Sequence, residues 1–174
     1  KSLALTRQMV TGTTDVAVLY TPQLRPGLGI RHLFDERLIL VSNNPGVVSL
    51  ESDYVFVDWG VEFTNFHNSV FPDSAHSRIT FKLGQVTLNF LLNNGGSAFM
   101  PKRLAQPLID AGRLFTSASV PSFIIPVHLV WREVMENDVL DVVIQTMEAI
   151  SKQALENTLP PPFWDTPKVY IHTA

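Results

Sequence analysis

At 174 residues, 45% hydrophobic and 17% charged, with a mean hydropathy of +0.14, the chain suits one globular domain or two small lobes and can bury a real core. A net charge of -3 without any basic cluster makes it by itself a poor nucleic-acid binder, and the lack of cysteine excludes a disulfide framework or a thiolate metal site. No apolar run reaches the roughly eighteen residues a membrane span needs, and KSLALTRQMV lacks a signal-peptide pattern, so a cytoplasmic location is expected.

Leu3, Leu5, Met9 and Val10 pattern a helix that Gly12 would stop. The chain starts almost inside that helix, so a natural N-terminus is expected to be missing. Asp15 to Tyr20 is nearly all apolar, the mark of a strand buried on both faces. Thr21 to Gly29, with its prolines and glycines, reads as a loop. Arg37 to Ser42 and Tyr54 to Trp59 read as further buried strands, ended by Asn43-Asn44-Pro45-Gly46 and by Gly60.

Val61 to Phe71 mixes aromatic and polar residues and reads as a short helix or an irregular segment beside a cleft. Arg78 to Leu83 alternates as a strand with one wetter face, and Gln85 to Leu92 is an apolar helix. The stretch from Leu88 to Leu114 is the most sharply punctuated. Asn93-Asn94-Gly95-Gly96 closes a helix, because glycine and asparagine tolerate the left-handed conformation. Ser97-Ala98-Phe99-Met100 is then a short strand, Pro101 opens a helix, and Gly112 closes it.

Ser117 to Pro126 reads as a loop and Val127 to Trp131 as a strand. Asn137 is a good N-cap for a helix from Asp138 to about Leu155, with Val139, Val143, Met147, Ile150 and Ala154 along one side. Leu159-Pro160-Pro161-Pro162 ends regular structure before a tail that packs on a lobe or on a partner. Strands alternating with helices predict an α/β class with a mixed, largely parallel sheet.

Five pieces, in order, resemble the effector-binding domain of LysR-type transcriptional regulators. They are Gly12-Thr13-Thr14-Asp15-Val16-Ala17-Val18, then Leu33 to Val41, then Gly95-Gly96-Ser97-Ala98-Phe99-Met100-Pro101, then Gly112-Arg113-Leu114, and finally Leu129-Val130-Trp131-Arg132 before a long helix. The resemblance covers about Ser2 to Leu155. It implies a two-lobed fold of the type 2 periplasmic-binding-protein kind. Lobe I would hold residues 1–40 plus 128–174, with a C-terminal tail from about 156, and lobe II residues 41–127. The first strand and helix of that domain have no counterpart here, nor has the N-terminal winged helix-turn-helix.

What the resemblance implies is a bacterial ligand-sensing regulatory domain that binds a small effector, a carboxylate or an aromatic, between the lobes. It also implies a homodimer or tetramer, joined through the helix around Gln85 to Leu92 or the one after Pro101, with DNA reached only through the missing N-terminal domain. No cofactor or metal is expected. A transporter's solute-binding protein shares the fold and is the rival reading.

The expected effector-binding residues follow the strand ends. Ser2 lies just before the first helix. Tyr20 and Thr21 end the first buried strand, facing the cleft or capping a loop. Trp59, Gly60 and Val61 follow Asp58, where backbone N–H groups and an indole suit a planar or carboxylated ligand, unless Trp59 is plain core. Thr64 and His67 come next, with Glu62 and Asn65 nearby; one histidine without a second at helical spacing is a weak metal signal. Gly96 and Ser97 either meet the effector or are small for packing, and Phe123 is a cleft wall or core.

Catalysis is not expected. Ser69 and Ser97 are the candidate nucleophiles and His67, His76 and His128 the candidate bases, but none sits in a Gly-x-Ser-x-Gly elbow, and no phosphate-binding glycine loop is present. Asp35 and Glu36 adjoin, so on a strand they face opposite ways.

Overall fold

One 15-residue strand, Leu28–Ser42, is the longest strand in a computed structural model that describes residues 2–46, 50, 53–72, 77, 79–135 and 138–155. In chain order the elements are α1 (Ser2–Val10), β1 (Val16–Leu19), β2 (Leu28–Ser42), β3 (Val55–Val57), α2 (Val61–Val70), β4 (Ile79–Phe81), α3 (Gly84–Asn94), β5 (Ser97–Pro101), α4 (Lys102–Asp110), β6 (Phe115–Thr116), β7 (Phe123–Arg132), a 3-10 turn (Glu133–Met135) and α5 (Asp138–Leu155). The strand order is β1-β7-β2-β5, with β6 also on β2, and β3 pairs separately with β4.

The mixed α/β class holds, but the sheet is not largely parallel. Every pairing in the main sheet is antiparallel, and β3 with β4 is the parallel pair between named strands. Two segments that read as loops contribute strand. β2 begins at Leu28 rather than Arg37, because Leu28 to Glu36 pairs with β7 despite its charged residues. β7 begins at Phe123 and includes Pro126, which lies beyond the point where Leu19 of β1 last pairs with His128. One side of β7 is open there, so a residue without an N–H breaks no ladder bond on that side.

Two packing units share β2 and β7. At one end Met9 of α1 packs on Ala17, Leu19 and Val130, and Leu140 and Ile144 of α5 pack on Leu129. At the other, Val41, Val55, Val57, Leu88, Leu91, Ala98 and Met100 form one core, and Leu38, Leu40, Tyr54, Phe63, Phe99 and Ile125 form another beneath α2. The face that α5 buries is shifted from the sequence reading. Leu140, Ile144 and Ser151 are buried, whereas Val139 and Ile150 are 64% and 49% exposed. Its N-cap, Asn137, and the tail after Leu155 lie outside the described residues.

Sequence punctuation carries over well in the centre. The apolar α3 ends at Asn94, and Gly95 and Gly96 follow with φ of 85° and 105°. β5 is buried along its whole length between β2 and the β3–β4 pair. Pro101 is the N-cap of α4 rather than part of its first turn, and Pro107 lies inside the helix. Among the described residues no helix is long and apolar enough to cross a membrane.

Candidate functional site

The two packing units meet where β1 ends and α2 begins. Tyr20 follows β1 and sets its ring edge-on to Trp59, with centroids 6.2 Å apart and planes at 84°. Beside it, the Thr21 hydroxyl donates to Glu62 Oε2 at 3.1 Å. These two contacts join residues that follow β1 to residues that follow β3.

Trp59 is fixed from three sides. Its Nε1–H donates to the Phe99 carbonyl at 2.9 Å, Tyr20 lies at its edge, and Gly84 packs against its six-membered ring. The adjoining Gly60 has φ of 118°, a conformation few other residues adopt, and caps α2 without a side-chain hydrogen bond. Among the described residues no side chain caps the first-turn N–H groups of Val61, Glu62 and Phe63, which carry the positive end of the helix dipole. Asp58 Oδ1 accepts from the Gly60 N–H at 3.2 Å, and Thr64 turns its hydroxyl back to the Gly60 carbonyl at 3.0 Å.

The structure thus brings together Tyr20, Thr21, Trp59, Gly60, Val61 and Thr64. The remaining expected residues lie elsewhere. His67 is 1% exposed, on the side of α2 turned into an aromatic cluster of Tyr54, Phe56, Phe63, Phe71 and Phe99. Phe123 packs on Phe63 and Phe66. Ser97 is buried at the start of β5, paired with Ser42 and bridged to Tyr54, and a Cβ on Gly96 would stand 2.5 Å from the Asp53 carbonyl oxygen. Small size at Gly96 serves close packing. Ser2 opens α1, but its side chain lies outside the described residues, as does His76. Among the described residues no group of three or more His, Asp or Glu could hold a metal.

A charged pair that the sequence reading passed over lies next to this region. Glu36, 2% exposed, accepts from Arg103 Nε at 2.6 Å, and the guanidinium sits 5.7 Å over the Phe34 ring. Burial raises the Glu36 carboxyl, and Arg103 opposes that by charge and by hydrogen bond. Asp35 faces the other way, exposed, with His32 Nε2 at 2.8 Å. The opposite facing was legible from the strand; the partner, 67 residues away on α4, was not.

Arg103 and Tyr20 also line a cavity of about 350 Å3, walled by Val18, Leu33, Phe34, Val127, Met147 and Ile150. It lies between α5, the shared strands and the start of α4.

No family model matches the sequence, and no curated protein matches it. Solved structures do. The apo regulatory domain of HypT from Salmonella typhimurium superposes with a TM-score of 0.66 at 14% identity, over 84% of this chain and 77% of that one. ArgP from Mycobacterium tuberculosis gives 0.68 at 13% identity over 87% of this chain, and full-length LysG from Corynebacterium glutamicum, solved with a bound effector Arg, gives 0.66 at 14% over 90%. The fold is therefore that of the regulatory, effector-binding domain of LysR-type regulators, the periplasmic-binding-protein-like architecture. The chain spans 56% of ArgP and 55% of LysG.

Proposed function

We propose that this chain is the effector-sensing part of a LysR-type transcriptional regulator. A small ligand would bind where Tyr20, Thr21, Trp59, Gly60, Val61 and Thr64 gather, and the two packing units would act as lobes, residues 1–40 plus 128–174 and residues 41–127. The observation that carries the reading is the pair of contacts, Tyr20 on Trp59 and Thr21 on Glu62, that ties one unit to the other beside the uncapped start of α2. The likeness in fold to regulatory domains supports it.

The chemistry suits a small ligand with a carboxylate or a planar face. Uncapped helix N–H groups favour an anion, an indole offers apolar area, and Thr21 offers a hydroxyl. Glu62 works against an anion unless its carboxylate stays turned to Thr21. Binding would move the lobes only as far as the ligand's affinity differs between their arrangements. Homo-oligomer contacts and a DNA-binding domain elsewhere in the protein would pass that change to a promoter.

The test uses Trp59 as reporter in a Trp131→Phe, Trp164→Phe background. Titration with small carboxylates, aromatics and sugars should give at least one saturable emission change with a matching rise in Tm, lost in Gly60→Val. No saturable response from any of these classes overturns the reading.

A further inference from the structure

The cavity beside Arg103 has the construction of a ligand site in its own right. Its walls are apolar: Val18 from β1, Leu33 and Phe34 from β2, Val127 from β7, Met147 and Ile150 from α5. Its polar groups are Tyr20, Ser151 and Arg103. Ser151 spends its hydroxyl on the Met147 carbonyl at 2.7 Å. Arg103 spends Nε on Glu36, and among the described residues neither its Nη1 and Nη2 groups nor the Tyr20 hydroxyl has a hydrogen-bond partner. The field of both charges reaches that hydroxyl: after burial, Glu36 raises the Tyr20 phenol and Arg103 lowers it. Unspent donors thus border a volume otherwise lined by hydrocarbon.

We propose that this cavity is a second ligand site, separate from the Trp59–Gly60 region, for a small organic monocarboxylate with an apolar body. The Nη1 and Nη2 groups, with Nε already committed, present the end-on fork that a carboxylate accepts in a bidentate manner, and the Tyr20 hydroxyl supplies a further donor. The charge argues for a single negative ligand group. Glu36 already offsets part of the Arg103 charge, so a dianion such as a phosphate ester would leave more negative charge uncompensated than a monocarboxylate does. The volume and the wall chemistry argue for an apolar body of roughly five to nine carbons. Tyr20 borders both this cavity and Trp59, so occupancy here would bear on the contact that joins the two units.

The chain's methionines make the two sites separately readable. Met147 lines the cavity, whereas Met9 of α1 packs on Ala17, Leu19 and Val130 and Met100 lies in the core at the far end. With methyl-labelled methionine, hexanoate should shift the Met147 methyl resonance saturably and leave Met9 and Met100 nearly still. Hexanamide, the uncharged analogue, should bind at least tenfold more weakly. Arg103→Lys keeps the charge beside Glu36 but loses the fork, and should weaken hexanoate tenfold or more. Glu36→Gln should tighten it severalfold by removing the competing carboxylate, and Ile150→Trp should fill the cavity and abolish the shift. A Met147 resonance that stays fixed, an amide that binds as well as the acid, or an Arg103→Lys protein that binds as the parent does would each overturn the proposal. A silent Trp59 titration alongside a responsive Met147 would sink the first site and leave the second standing.

Discussion

Tyr54 and His67 lie ring on ring, with centroids 5.4 Å apart and planes 14° from parallel, and the Tyr54 hydroxyl and both His67 ring nitrogens are buried without a hydrogen-bond partner among the described residues. Phe56, Phe63, Phe71 and Phe99 close the rest of the shell around the imidazole. Each unmade bond costs on the order of 1–3 kcal/mol relative to a satisfied group. This histidine is therefore a weak point in an apolar core.

His67→Phe should accordingly stabilise the protein, by up to about 2 kcal/mol if the slightly larger ring is accommodated. The pH dependence has a definite sign. Burial lowers the imidazole below its ordinary value, and the Asn68 side chain opposes this without reaching hydrogen-bond geometry. Between the lowered folded value and the ordinary one near 6.5, the unfolded chain holds more proton than the folded one. Stability from this source is present above the ordinary histidine range and is lost as pH falls through the folded value. Urea midpoints measured between pH 8 and pH 4.5 should show that acid limb in the parent and a flatter one in His67→Phe.

Glu36 and Arg103 give the opposite sign. The folded Glu36 carboxyl is raised, so the folded state holds the proton longer than the unfolded chain does. Its contribution is favourable below the ordinary carboxylate range and declines as pH rises through the raised value. Arg103→Met strands a buried carboxylate and should cost up to about 3 kcal/mol at pH 7, discounted for the partly exposed arginine, and less at pH 4.5, where Glu36 can protonate. Adding Glu36→Leu should restore much of the loss. If Arg103→Met is equally destabilising at both pH values, the pair is not what holds that side chain.

What could be read from the sequence divides along physical lines. Elements set by local chemistry were legible: the Gly95–Gly96 break, the buried β5, and the start of α2 after Gly60. Strand direction was not, because a short apolar run such as Val55 to Val57 is equally apolar in a parallel or an antiparallel pair. The N-terminal part of β2 escaped notice because Arg31, His32, Asp35 and Glu36 look like loop residues until β7 supplies their partner strand and α5 and α4 supply partners for Arg31 and Glu36. The site divides the same way. Tyr20, Thr21 and Trp59 stand at strand ends and could be nominated one by one, whereas Arg103 had no local signal. His67 and Ser97 are polar residues in apolar surroundings, which one sequence cannot distinguish from polar residues facing a cleft.

The Trp59–Gly84 contact offers the sharpest structural test of the site. A Cβ on Gly84 would stand 2.6 Å from the far carbon of the indole, a separation that real side chains essentially never show. Near the start of α3 an alanine should otherwise help, by up to about 1 kcal/mol, since it is the better helix former. Here the ring must give way, and it is held by the Phe99 carbonyl at 2.9 Å and by Tyr20 at its edge. Gly84→Ala should therefore destabilise by about 1–3 kcal/mol, shift Trp59 emission, and weaken any ligand response that Trp59 reports. Trp59→Phe removes the part of the ring that clashes, so Gly84→Ala should cost less in that background. A double-mutant cycle by urea unfolding reads this as coupling of roughly 1 kcal/mol or more. Simple additivity would mean that the indole is not wedged between α3 and β5, and that Trp59 is free to move without disturbing either packing unit.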